Sequence, residues 1–209
     1  MSRTPQRYQA IIAVLGWFAL ISQFYINATS NDVALFEITI RYFSYFTILT
    51  NLLITVYCSV RLLAPESALA IFFSKQSTGT AIAVYITVVG VVYNMILRSM
   101  WDPEGLQLVV DEVLHTIIPI LFIGYWILRI SRHELAWRNV WYWLLYPFMY
   151  SIFILVRGNF SGFYPYPFVN VTSLGYNQVF INCLVLTAVF ILFSFLFIWI
   201  AKLMSRHLI

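Results

Sequence analysis

Two short stretches hold most of the side chains whose types and spacing suit chemistry. In "DEVLHTIIPI", residues 111–120, Asp111 and Glu112 stand four and three positions before His115, and Pro119 stands four beyond it. On a helix both acids fall on roughly the face of the imidazole, which lies about 6 Å further along the axis than Asp111. "RYFSYFTILTNLL", residues 41–53, begins a second polar series. Ser44, Thr47, Asn51 and Thr55 follow at intervals that share one helix face.

A threonine hydroxyl is a weak nucleophile until an adjacent base takes its proton, and histidine is the usual base. A third group normally orients the base, a role open to Asp111, Glu112 or a backbone carbonyl. An oxyanion needs donors, which Asn51, tyrosine hydroxyls or a basic side chain can supply. The same residues admit plainer readings. His115 can be a buried histidine satisfied by hydrogen bonds, and the hydroxyls can be packing glue between helices. Asp111, Glu112 and His115 can also relay protons in a transporter.

These residues sit in a chain of 209 residues that is 62% hydrophobic and only 10% charged. Soluble domains carry roughly 25% charged residues. Repeated apolar stretches, each long enough to cross a ~30 Å hydrocarbon core, predict an all-α polytopic membrane protein with a single six-helix domain over 1–209. The expected spans are 8–26, 42–63, 80–97, 108–128, 140–156 and 176–201. The first has a signal-peptide look, yet its apolar stretch is longer than the usual h-region and rich in aromatics, so it is read as a retained helix. Cys58 and Cys183 fall within spans without a CxxC spacing and read as small packing residues.

Charge predicts orientation. One side of this plan collects Arg3, Arg7, Arg61, Lys75, Arg129, Arg132, Arg138, Lys202 and Arg206, the other only Arg41, Arg98 and Arg157. The positive-inside rule then puts both termini in the cytoplasm. Asp32, Glu37, Asp102, Glu104, Asp111 and Glu112 fall on the opposite side. Asp111 and Glu112 are therefore expected near the outer interface, where charge is tolerated. His133 belongs to a basic loop and His207 to the tail, which leaves His115 as the costly intramembrane group. Sequons at Asn27, Asn159 and Asn170 share the outer side, but the pattern is short and is read as chance.

Depth ties the two stretches together. Counted from Arg41 along a continuous helix, Thr47 lies about 9 Å down, close to the level of His115 on its own span. Pro119 removes its own N–H and clashes with the carbonyl of His115, so a bend and a free acceptor are expected beside the imidazole. The last outer loop, "RGNFSGFYPYPF", joins Arg157 to Phe163, Tyr164, Tyr166 and Phe168. It reads either as an aromatic belt with an arginine anchor or as a lid folded over the site. No second histidine accompanies His115, and HExxH, GxSxG and P-loop patterns are absent, so no metal or cofactor is expected.

In order and spacing these motifs resemble the androgen-induced-gene membrane proteins, which hydrolyse fatty acid esters of hydroxy fatty acids, and more closely their bacterial relatives. The likeness rests on "FTILTNLL", "LHTIIPI" and "YPFMY" followed by "RGNFSGFYPYPF", and it spans most of the chain. It implies a six-span intramembrane hydrolase of lipid esters with Thr47 as nucleophile and His115 as base. Thr50, about 60° round the helix, is the rival nucleophile. Mammalian members carry other polar residues where Thr50, Asn51 and Asp111 stand, which bears on substrate and rate. The resemblance further implies a membrane lipid or fatty-acyl ester as substrate, no nucleic acid and no obligate protein partner. The expected setting is a bacterial inner membrane, with the site toward the outer leaflet. A transporter or lipid-binding protein without turnover is the other reading, although no inverted repeat is visible.

Overall fold

A computed structural model describes residues 3–30, 33–129 and 135–206; Asp32, Arg132, His133 and His207 lie outside the described residues. Among the described residues there are ten α-helices and no strand. Six helical stretches are long and apolar enough to cross a membrane: Gln6–Thr29, Phe46–Leu63, Gln76–Met100, Gly105–Arg129, Asn139–Ser161 and Val171–Met204. This is the architecture of an integral membrane protein. In element terms they are α1 (Arg3–Thr29), α3 (Phe46–Leu63), α5 (Gln76–Val92), α6 (Gly105–Glu112) with α7 (Ile118–Arg129), α8 (Asn139–Trp143) with α9 (Leu145–Ser161), and α10 (Val171–Arg206). Two short helices, α2 (Leu35–Tyr42) and α4 (Ala68–Ser74), precede α3 and α5.

Each span is predominantly apolar, and its packing is set by small residues and close fit rather than by expulsion of water. The inner group is α1, α3, α5 and α7, which contact one another, with α10 laid against α5. Ile12, Ile54, Ile82, Ile86, Leu114, Ile118 and Phe122 are sealed inside it. Gly16 lets α1 close on α3, because a Cβ there would stand 2.0 Å from the Thr55 hydroxyl.

The second span differs from its expected form. A continuous helix from residue 42 is replaced by a break at 43–45, where the Ser44 hydroxyl donates back to the Ile40 carbonyl at 2.6 Å and Tyr150 donates to the Ser44 carbonyl at 2.8 Å. Short hydroxyl side chains compete with helix hydrogen bonding in this way. Ser44 is therefore off the helix face that Thr47, Asn51 and Thr55 share. Thr47 sits in the first turn of α3, so depth counted along one helix from Arg41 does not apply to it.

Two spans widen at facing positions. A π-helical turn at Tyr93–Leu97 follows α5, and another at Val113–Ile117 joins α6 to α7. Such turns are rare and concentrate at functional sites. The second is the response to Pro119, and the carbonyl of His115 that the proline leaves open accepts from Asn94 Nδ2 at 3.2 Å. The expected free acceptor is thus satisfied by the neighbouring span.

Candidate active site

Asp111 and His115 are one unit. The imidazole Nδ1 lies 3.0 Å from the Asp111 carbonyl oxygen and 3.2 Å from its carboxylate. Both neighbours are acceptors, so Nδ1 carries a proton, and in the neutral ring the lone pair is left on Nε2. Tyr93 donates its hydroxyl to the other carboxylate oxygen of Asp111, accepts from Trp101 Nε1 at 3.1 Å, and stacks on the His115 ring with centroids 3.7 Å apart. The imidazole is therefore fixed in tautomer by Asp111 and in tilt by Tyr93.

This corrects the expected setting of the acids. Asp111 is only 3% exposed and is more enclosed than His115, not placed at a solvated interface. The widened turn rolls its carboxylate inward, where Tyr93 and the imidazole supply the donors that a buried carboxylate requires. Glu112 points elsewhere and pairs with Arg98 at the end of α5's span. Of the groups weighed for orienting the base, Asp111 contributes both its carboxylate and its backbone carbonyl, and Glu112 contributes neither.

Thr47 is reached from another direction. Its backbone N–H donates to the Tyr166 hydroxyl at 3.2 Å, and its own hydroxyl shares a hydrogen bond with that phenol at 3.3 Å. Thr47 and His115 are not hydrogen-bonded to each other. They are linked through Asn51, which donates from Nδ2 to the Thr47 carbonyl at 2.9 Å and to the Leu114 carbonyl at 3.2 Å. Asn51 thus ties the turn holding the imidazole to the turn holding the hydroxyl. Its own Oδ1 has no partner. Thr50 is fully buried, with its hydroxyl directed to Tyr146.

The loop after α9 folds back over Thr47. Gly162 ends α9 in the left-handed region (φ 70°), a conformation glycine adopts without strain. Tyr164 lies against Gly158, where any Cβ would clash with its ring at 2.1 Å. Arg157 donates to Glu37 at 3.1 Å and to the Phe163 carbonyl at 3.4 Å, and both Arg41 and Arg157 pack against the Phe163 ring. Arg41, which donates to Glu37 at 2.7 Å, holds that carboxyl below its ordinary value; desolvation opposes this and Arg157 adds to it. Burial pushes the Tyr166 phenol up to about 12, so it stays a neutral donor. The loop thus covers Thr47 through Tyr166 and is anchored by Arg157 against Phe163, features of both expected forms.

Beneath the lid runs an apolar cavity of about 760 Å³, flanked by α9 and α10 and backed by α5. Thr47, Tyr93 and Tyr166 are among its polar lining residues, with Leu184 and Phe190 among the apolar ones. Thr50 does not line it, which separates the two threonines. His115 stands behind Tyr93, against the ring that forms the wall.

Three participants escaped the reading by motif. Tyr93, Asn94 and Trp101 hold the histidine unit, and their signal was Asn94, an amide inside an apolar stretch, one position from a tyrosine. No group of three metal-ligating side chains occurs among the described residues. The chain matches no family model, no curated protein and no solved structure.

Proposed function

We propose that this chain is an intramembrane hydrolase of fatty-acyl esters, with Thr47 as nucleophile and His115 as base. The observation that supports it is the sharing of one apolar cavity by the Thr47 hydroxyl and by Tyr93, the residue stacked on an Asp111-oriented imidazole. The motif resemblance to the androgen-induced-gene proteins points the same way. An acyl chain lies along the cavity with its ester carbonyl under the lid. Tyr166 releases the Thr47 hydroxyl, which turns toward His115 Nε2.

Thr47 Oγ then bonds to the ester carbon while its proton passes to Nε2. The negative oxygen is met by the Tyr166 phenol and by the Thr47 N–H at the positive end of α3. Collapse breaks the ester C–O bond, and the leaving alcohol takes the proton from His115. Water, deprotonated by the same imidazole, then releases the fatty acid and restores Thr47. In this reading both termini face the cytoplasm and the lid faces the outer leaflet. Fatty acid esters of hydroxy fatty acids and similar acyl esters are the substrate class.

The experiment is release of fatty acid from such esters by the purified chain in neutral detergent. His115→Ala should lower the rate by about 10²–10⁴-fold, the range for losing a general base. Binding of the ester with no product formed, in the wild type as in the variant, would instead identify a lipid carrier.

A further inference from the structure

At the opposite end of the bundle, where α1 begins and α10 finishes, lies a second pocket of about 130 Å³. Among the described residues its wall carries three cations, Arg61, Lys75 and Arg129, and no carboxylate. None of the three is paired with an acid among the described residues. Arg61 spends one nitrogen on the Tyr57 hydroxyl at 2.9 Å and on the Phe73 carbonyl at 3.2 Å, which fixes the guanidinium without neutralising it. The side-chain nitrogen of Gln76 also belongs to this pocket, is sealed from solvent, and has no hydrogen-bond acceptor among the described residues. Gathering three like charges and a buried orphan donor is unfavourable unless an anion completes the set.

Position indicates which anion. Arg61 ends the span Phe46–Leu63, Arg129 ends Gly105–Arg129, and Gln76 begins Gln76–Met100, so the pocket sits where three apolar spans stop. That is the level of lipid headgroups in any bilayer the spans cross. Arginine forks match phosphate oxygens, and basic pockets between spans suit anionic headgroups. We propose that this pocket binds a phosphate-type oxyanion, presented by an anionic phospholipid or as free phosphate. The site is independent of the ester chemistry at the other end.

The test is thermal unfolding of the full chain in neutral detergent, titrated separately with dioctanoyl phosphatidic acid, dioctanoyl phosphatidylcholine and inorganic phosphate at constant ionic strength. Phosphatidic acid should raise the midpoint well beyond phosphatidylcholine, which controls for acyl chains in the large cavity. Stabilisation by inorganic phosphate as well assigns the site to free phosphate, and stabilisation by the lipid alone assigns it to a headgroup. Lys75→Gln with Arg129→Gln should weaken the effect by more than about tenfold, the worth of one charge-assisted hydrogen bond. Both side chains are exposed, so the fold is spared. Ser74→Glu, which adds a carboxylate at the rim without removing a cation, should give the same loss. Arg7→Gln with Arg138→Gln, removing two exposed charges outside the pocket, should leave the effect intact. No stabilisation by either phosphate probe would overturn the proposal. So would stabilisation that survives both pocket variants, or that falls equally in the control.

Discussion

The α3–α5 half of the bundle and the α9–α10 half are built differently. In their most apolar stretches α3 and α5 bury 50% and 56% of their residues inside the protein, whereas α9 and α10 each bury 22%. The polar groups follow the same division. Asp111, His115, Asn51 and Tyr93 are interlocked across α3, α5 and the α6–α7 span, while the cavity lies on the sparsely covered side between α9 and α10. Orientation of a base demands rigid neighbours, and admission of a long apolar ligand demands a face that can part. Under the proposed function the molecule separates the two demands by helix.

Substitutions should reveal this division in graded fashion. The largest effect is expected at Asp111→Ala, which strips the Tyr93 hydroxyl of its buried acceptor and leaves His115 Nδ1 with the backbone carbonyl of residue 111 alone. A loss of about 3–6 kcal/mol, two hydrogen bonds to a charged acceptor at about 1.5–3 each, should appear in detergent unfolding together with loss of any ester hydrolysis. Gly16→Val comes next. It drives a side chain into the Thr55 hydroxyl, and overpacking the α1–α3 contact should cost about 1–3 kcal/mol in the same measurement.

A smaller, pH-dependent effect is expected at the lid. The carboxyl of Glu37 is held below its ordinary 4.5, chiefly by Arg41 and in addition by Arg157. The clamp on Phe163 is therefore complete above about pH 4.5 and is lost as pH falls through the lowered value. Protease cutting within the loop 162–170 should rise across that acidic window in the wild type, and Glu37→Gln should flatten the profile. The least effect on stability is expected in the looser half. Leu184→Trp lies on α10 and half-exposed, so unfolding should shift by no more than about 0.5 kcal/mol. Filling the cavity should nevertheless discriminate against long acyl esters relative to short ones, read as a change in kcat/KM across chain lengths. Equal penalties in the two halves would refute the division.

Much of the fold was legible because apolar length is a one-dimensional property. All six expected spans fall on the observed ones, the only early start being the four residues 42–45, where Ser44 and Tyr150 divert the backbone. The pairing of Asp111 with His115 was also within reach, since an i, i+4 spacing puts two side chains on one face. The burial of Asp111 was not. It depends on a π-helical turn, where only a bend was expected from Pro119, and on Tyr93 arriving from a facing widened turn in the preceding span. Depth counting brought Thr47 and His115 to one level without showing what lies between them. Asn51 bridges the two turns through their carbonyls and Tyr166 takes the Thr47 hydroxyl, because three-dimensional neighbours compete for the same hydroxyl and carbonyl groups.

The central claim is that Thr47 is a nucleophile served by His115, and the most direct measurement is the site of covalent attack by a fluorophosphonate probe. After labelling the purified chain in neutral detergent, peptide mass spectrometry should locate the adduct on Thr47. Labelling should disappear in Thr47→Ala, fall sharply in His115→Ala and persist in Thr50→Ala. An adduct at any other residue, or labelling that survives Thr47→Ala, would contradict the account.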